Sequence, residues 1–215
     1  MYRKYFKHEK GITGLETAII LIAFVVVAAV FAYTTLSAGL FSTQKSQEAV
    51  YSGLKEARAT LELKGNVIAT ANESGTSGRV QQISFIVSNV LGGEAIDFHE
   101  PDQAAGNGGV ADTNSTNKVV INYIDEYQAV NDLYWTLEKL GGSDSDDLLE
   151  NNEKFKITIG SDTAGASGGN LINALSTQNL NVNTEFSLII QTPIGAVLEI
   201  ERTIPPFMDT IMNLR

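Results

Sequence analysis

Asp144, Asp146 and Asp147 crowd together after a pair of glycines, and carboxylates so close could supply oxygen ligands to Ca²⁺. The run lacks the full twelve-residue loop and the closing bidentate Glu of such sites, so a solvated acidic turn is expected and no metal. Two triplets, Asn72-Glu73-Ser74 and Asn114-Ser115-Thr116, match the acceptor pattern for N-linked glycan and sit among loop-forming residues. Cysteine is absent, which excludes disulfides, thiolate metal sites and cysteine nucleophiles. The two histidines, His8 and His99, lie far apart, so a histidine metal centre or a catalytic triad lacks its parts. The glycine-rich stretches carry no Lys-Ser/Thr ending, which argues against phosphate binding. Trp135 is expected in a core. No catalytic constellation and no cofactor site is expected.

Charge narrows the classes further. The formal net charge is −10. In the first eleven residues Arg3, Lys4, Lys7 and Lys10 outweigh Glu9 by three, which leaves −13 on the rest. Nucleic acid recruits Lys and Arg to its phosphates, and a surface this acidic repels it. No nucleic-acid partner is expected.

The elements that must position any function begin at the N-terminus. From Thr17 to Gln44 there is no charged residue. A run of about 20 apolar residues suffices to cross a hydrocarbon core, and the preceding basic residues would hold the N-terminus in the cytoplasm. An ordinary secretory signal has a shorter apolar region followed by a small-residue release site. Here the helical pattern continues instead: Val50, Leu54, Ala57 and Leu61 recur at spacings of four, three and four, on one helical face. Cleavage at Gly11–Ile12, before the apolar run, would keep that helix in the mature chain. A helix over 12–64 would be about 80 Å long, more than twice a bilayer. Its distal half must find another cover for its apolar stripe, and copies of itself are the simplest one. Glu16 is the exception, since a carboxylate in an apolar helix costs about 2.5–3.5 kcal/mol near a bilayer centre. Either it is an interfacial acid favoured by the helix dipole, or it awaits a cation in the assembled state.

Lys10-Gly11 before Ile12, Glu16 at the fifth position after that junction, and the stretch from Gly14 to about Leu63 resemble an archaellin, the subunit of the archaeal flagellum. More broadly, the leader is similar to those of type IV pilins, although Glu9 stands where such leaders often carry a second basic residue. The resemblance implies a class III leader over 1–11, cut between Gly11 and Ile12 by a prepilin-type peptidase. It implies an assembly helix over 12–64 that is membrane-inserted first, then moved into a filament by an assembly ATPase and a membrane platform protein. It implies a helical homo-oligomer outside the cell, in which other archaellins can also take part, and it raises Asn72 and Asn114 as glycosylation sites. In that setting Glu16 would pair with the α-amino group of a mature chain.

After Gly65 the period changes to two. Ile83, Phe85 and Val87; Val119, Ile121 and Tyr123; Leu133, Trp135 and Leu137; Phe155, Ile157 and Ile159 each lie on one side of a segment. Phe186 to Thr192, a Pro193–Gly195 turn, and Ala196 to Thr203 form a final strand pair, and Gly-, Asn- and Asp-rich loops separate the strands. The expected fold class is α+β: a long N-terminal α-helix followed, over 65–215, by an immunoglobulin-like antiparallel β-sandwich. Two other readings stay open at this point: an adhesive type IV-like pilin, and a membrane-anchored exported binding protein.

Overall fold

The computed structural model describes residues 10–58, 60–90, 93–106, 108–160, 171–195 and 197–215. Most of the expected leader (1–9), Ala196 and residues 161–170 lie outside the described residues. Helix α1 spans Lys10–Arg58, and twelve strands follow among the described residues. They are β1 (Leu61–Leu63), β2 (Val67–Ala71), β3 (Val80–Asn89), β4 (Ile96–Asp97), β5 (Val120–Asp125) and β6 (Ala129–Val130). Then come β7 (Trp135–Leu140), β8 (Leu148–Leu149), β9 (Lys154–Gly160), the short α2 (Leu171–Ala174), β10 (Glu185–Gln191), β11 (Leu198–Thr203) and β12 (Ile211–Leu214). The chain divides between Ser52 and Gly53 into two compact units.

α1 forms because its 49 residues contain no proline and its apolar run is rich in alanine and leucine as well as valine. It ends where the side-chain period changes. Thr60 Oγ1 donates to the Ala57 carbonyl at 3.1 Å, satisfying one of the helix's last carbonyls. The helix therefore stops short of Lys64, and Leu61 does not continue the Val50–Leu54–Ala57 stripe. Instead Leu61, Glu62 and Leu63 form β1, paired antiparallel to Asn89, Ser88 and Val87 of β3. Leu61 is 4% exposed within the β-domain core. The four-residue step from Ala57 to Leu61 suited either a helix or a new strand, and burial of two leucines against β3 decides for the strand. Gly65 supplies a positive φ of 83° in the turn between β1 and β2.

The β-domain is a two-layer antiparallel sandwich. One sheet has the order β12-β2-β3-β9-β7, with β1 also on β3, and the other has the order β11-β10-β5-β6. A separate two-stranded ladder joins β4 to β8. Residues that the period of two set on one side of a segment share one buried cluster, among them Ile83, Phe85, Val87, Val119, Ile121, Tyr123, Phe155, Ile157 and Ile159, and Phe186, Leu188 and Ile190 of β10 join it. At its centre Phe98 meets Trp135 and Phe155 edge-to-face, with ring centroids 6.0 and 5.8 Å apart. Tyr123 stacks on Phe186 and donates its hydroxyl to Asp125 at 2.7 Å, so a buried phenol keeps a partner. Burial and that carboxylate push the Tyr123 hydroxyl well above its ordinary pKa.

The placement of Leu61 separates two measurable quantities. Leu61→Ala is expected to destabilise the β-domain by about 2–5 kcal/mol, the range for emptying a leucine site in a core. Leu54→Ala, at an exposed position, is expected to stay within about 0.5 kcal/mol of the parent. Urea unfolding followed by the fluorescence of Trp135, the single tryptophan, reads both. Equal losses in the two variants would contradict the assignment of Leu61 to the core.

Candidate assembly surface

The central part of α1 is apolar on every side. Phe24, Val25, Val26 and Val27 follow one another through a full turn and are 73, 55, 55 and 68% exposed. From Gly14 to Lys55 the helix is long and apolar enough to cross a membrane, with a window of mean hydropathy 2.7. Four of its hydroxyls are satisfied within the helix. Thr34 and Thr35 hydroxyls donate to the Phe31 carbonyl at 2.9 and 2.8 Å, and Thr43 and Ser46 donate to the carbonyls of Gly39 and Ser42 at 2.9 Å each. Such back-bonding lets hydroxyls enter lipid or a packed helix bundle without leaving a donor unsatisfied.

The residues singled out by sequence distribute as follows. Gly11 and Ile12 lie in the first turn of α1. Glu16 is exposed on the helix, and among the described residues it makes no ion pair. Val50, Leu54 and Ala57 are exposed near the end of α1, and Leu61 is not among them. Asn72 is exposed beyond the end of β2, its Oδ1 accepting from the Arg79 N–H at 2.8 Å. Asn114 is exposed in a loop, and both its N–H and its Nδ2 donate to Asp112 Oδ1, at 2.8 and 3.1 Å.

The acidic run spends its oxygens on its own loop. Asp144 Oδ1 accepts from the Asp146 N–H at 3.0 Å, and Asp146 Oδ1 accepts from the Leu148 N–H at 2.9 Å. Asp147 pairs with Lys139 at 3.0 Å and approaches His99 Nδ1 at 3.4 Å. Among the described residues no group of three or more His, Asp or Glu is placed to hold a metal ion. The Lys139 ammonium holds the Asp147 carboxyl below its ordinary range. Lys118, 2.8 Å from Asp97, does the same there. Neither grouping was visible in the sequence, because each brings together side chains from separate segments of the chain.

A long exposed helix, apolar all round its central part, ahead of a β-domain with its own core defines a class: a subunit whose helix must be covered by other molecules. The archaeal-type flagellin family matches residues 11–202. "Probable flagellin 1" of Archaeoglobus fulgidus is 36% identical over 218 residues, spanning all of this chain and 99% of that protein. "Probable flagellin 2" of the same organism is 38% identical over 210 residues, 95% of this chain and 94% of that one. Among solved structures, a chain of the archaeal flagellum of Methanospirillum hungatei strain JF1 aligns with TM-score 0.58 and 28% identity, covering 94% of this chain and 98% of its own. The chain belongs to the archaeal-type flagellin family.

The ion pairs around the β4–β8 ladder set an acid limit. Asp97 and Asp147 have carboxyls depressed in the folded state. Their contribution is therefore present above the unfolded carboxylate pKa and is lost as pH falls through the lower folded values. Lys118→Met is expected to raise the Asp97 midpoint toward about 3.9, the unperturbed value. Side-chain carboxyl NMR titration measures it, and an unmoved midpoint would remove Lys118 as the cause.

Proposed function

We propose that this chain is a structural subunit of the archaeal flagellum filament, polymerising through α1 to give swimming motility. The observation that carries the reading is the helix itself, 49 residues long with exposed apolar side chains around its full circumference, in a chain of the archaeal-type flagellin family. A helix apolar on all sides has to be buried, and lipid or a bundle of identical helices meets that need equally well. Repeated head-to-tail contact that does not close yields an open helical filament. The reading makes the protein a homo-oligomer in an extracellular filament and gives it no catalytic role.

The finer steps are proposed on the same basis. A leader over 1–11 is cut between Gly11 and Ile12 by a prepilin-type peptidase. The mature chain waits in the cytoplasmic membrane until an assembly ATPase and a platform protein move α1 into the filament. Glu16 then pairs with the new α-amino group of a mature chain, while Val50, Leu54 and Ala57 pack against neighbouring helices. Asn72 and Asn114 are exposed enough to receive N-glycans.

Mass spectrometry of fibres sheared from cells is expected to give an N-terminus at Ile12, with glycan mass on peptides holding Asn72 or Asn114 if those sites are occupied. A chain beginning at Met1 and confined to the membrane fraction would sink the filament reading. Glu16→Ala is expected to be processed normally yet to assemble poorly, because losing one member of a buried ion pair costs about 3–5 kcal/mol. Normal filaments from that variant would remove the pairing with the α-amino group.

A further inference from the structure

The two outward faces of the β-sandwich differ in charge. On the sheet β12-β2-β3-β9-β7, the outward positions follow from the register: Ile68 opposite Ser84, Ser84 opposite Thr158, and Thr158 opposite Thr136. Thr70 and Gln82 form a second uncharged row. Charges gather at one end of this face, where Lys156 pairs with Glu138 at 2.8 Å and Lys64 pairs with Glu62 at 2.7 Å. Lys154, exposed on β9, is left over, so this face carries a surplus of one positive charge. In a chain of net charge −10 that is an anomaly requiring a reason.

The other outward face is the reverse. Along β10 and β11 it presents Glu185, Glu199 and Glu201, and no Lys or Arg. Arg202 alternates to the inner side, opposite Phe186. Glu201 stands opposite Ser187, so Glu185 is its diagonal neighbour on the same face, and that second carboxylate pushes the Glu201 pKa up. Like charges set this close destabilise a sheet unless something outside it compensates. An open depression of about 900 Å³ adjoins them, lined in part by Ile124, Tyr127, Glu185 and Glu201, with Ile124 and Tyr127 41 and 51% exposed. Ile211, 69% exposed on the β12 edge of the first sheet, is an apolar group of the kind such a depression receives.

We propose that these two faces dock onto each other between copies of this chain: the outward face of β12-β2-β3-β9-β7 on one subunit receives the β11-β10-β5 face of the next. The contact is heterologous, with a different surface on each side, so it propagates along an assembly and does not close into a dimer. Lys154 meets the Glu185/Glu199/Glu201 group, and the uncharged Thr, Ser and Gln rows supply area that brings no further like charge together. The proposal rests on the filament reading, to which it adds the partner surface of the β-domain.

The absence of cysteine makes the test direct. Full-length chains carrying Thr158→Cys together with Ser187→Cys, assembled into fibres and treated with a short bismaleimide, are expected to give a ladder of cross-linked multimers. Thr158→Cys alone is expected to give monomers. Dimers from Thr158→Cys alone would mean that the uncharged faces meet each other, and absence of any ladder in intact fibres would mean that these faces do not meet; either overturns the proposal. Glu201→Lys and Lys154→Glu are each expected to lower fibre yield roughly tenfold, and the double variant to recover most of it. Single variants with parental yield would also overturn the docking. Failure of the filament reading is distinct, because then the parent chain itself forms no fibres.

Discussion

Everything in this chain depends on the need to cover α1. Hydrophobic side chains through a full turn, from Phe24 to Val27, leave no polar face on which the helix could rest in water. Most proteins meet such a need internally, by folding other elements around the helix. Here the domain after Gly53 completes its core from its own strands, and the buried cluster draws no residue from the apolar run. The helix is therefore free to exchange one apolar surrounding for another. Its hydroxyls, bonded back to carbonyls three or four residues earlier, make that exchange cheap.

The β-domain must stand without the help that small exported domains often take from disulfides. It does so with aromatic packing around Phe98, Trp135 and Phe155, and with a ten-residue central strand, β3, that serves β1, β2 and β9 together. β1 is the hinge of this economy in sequence terms. Three residues after the helix ends, Leu61 is already committed to the core.

Acidity is distributed in a way that suits a surface meeting copies of itself. A uniformly negative domain would repel its neighbours, and screening at physiological ionic strength acts only beyond about 8 Å. Pairing the charges on one sheet and concentrating carboxylates on the other removes that repulsion in one direction while keeping the exposed domain soluble. Ion pairs such as Asp97 with Lys118 belong to a different category, since they tie the β4–β8 region to its own surroundings.

Much of this was legible in the residues. The uncharged run from Thr17 to Gln44 required a long buried helix, since no other element is apolar for so long. Alternation marked β3, β5, β7 and β9, because one face of each is buried and the side-chain period of a strand is two, while an apolar run before the Pro193–Gly195 turn marked β10. The short strands were not legible: β4, β6 and β8 have two residues each, too few to show any period. β2 buries Ala69 and Ala71, residues that carry little strand signal of their own. Leu61 was misplaced because a step of four residues fits a helix as well as a crossing into a strand, and the local sequence holds nothing to choose between them. Likewise His99 looked solitary until Asp147, 48 residues later, came beside it. Sequence alone thus determined that a helix must be covered and that a β-domain follows, because both depend on local periodicity. Only tertiary structure decided where the helix stops and which charges share a face, because register between distant strands sets those.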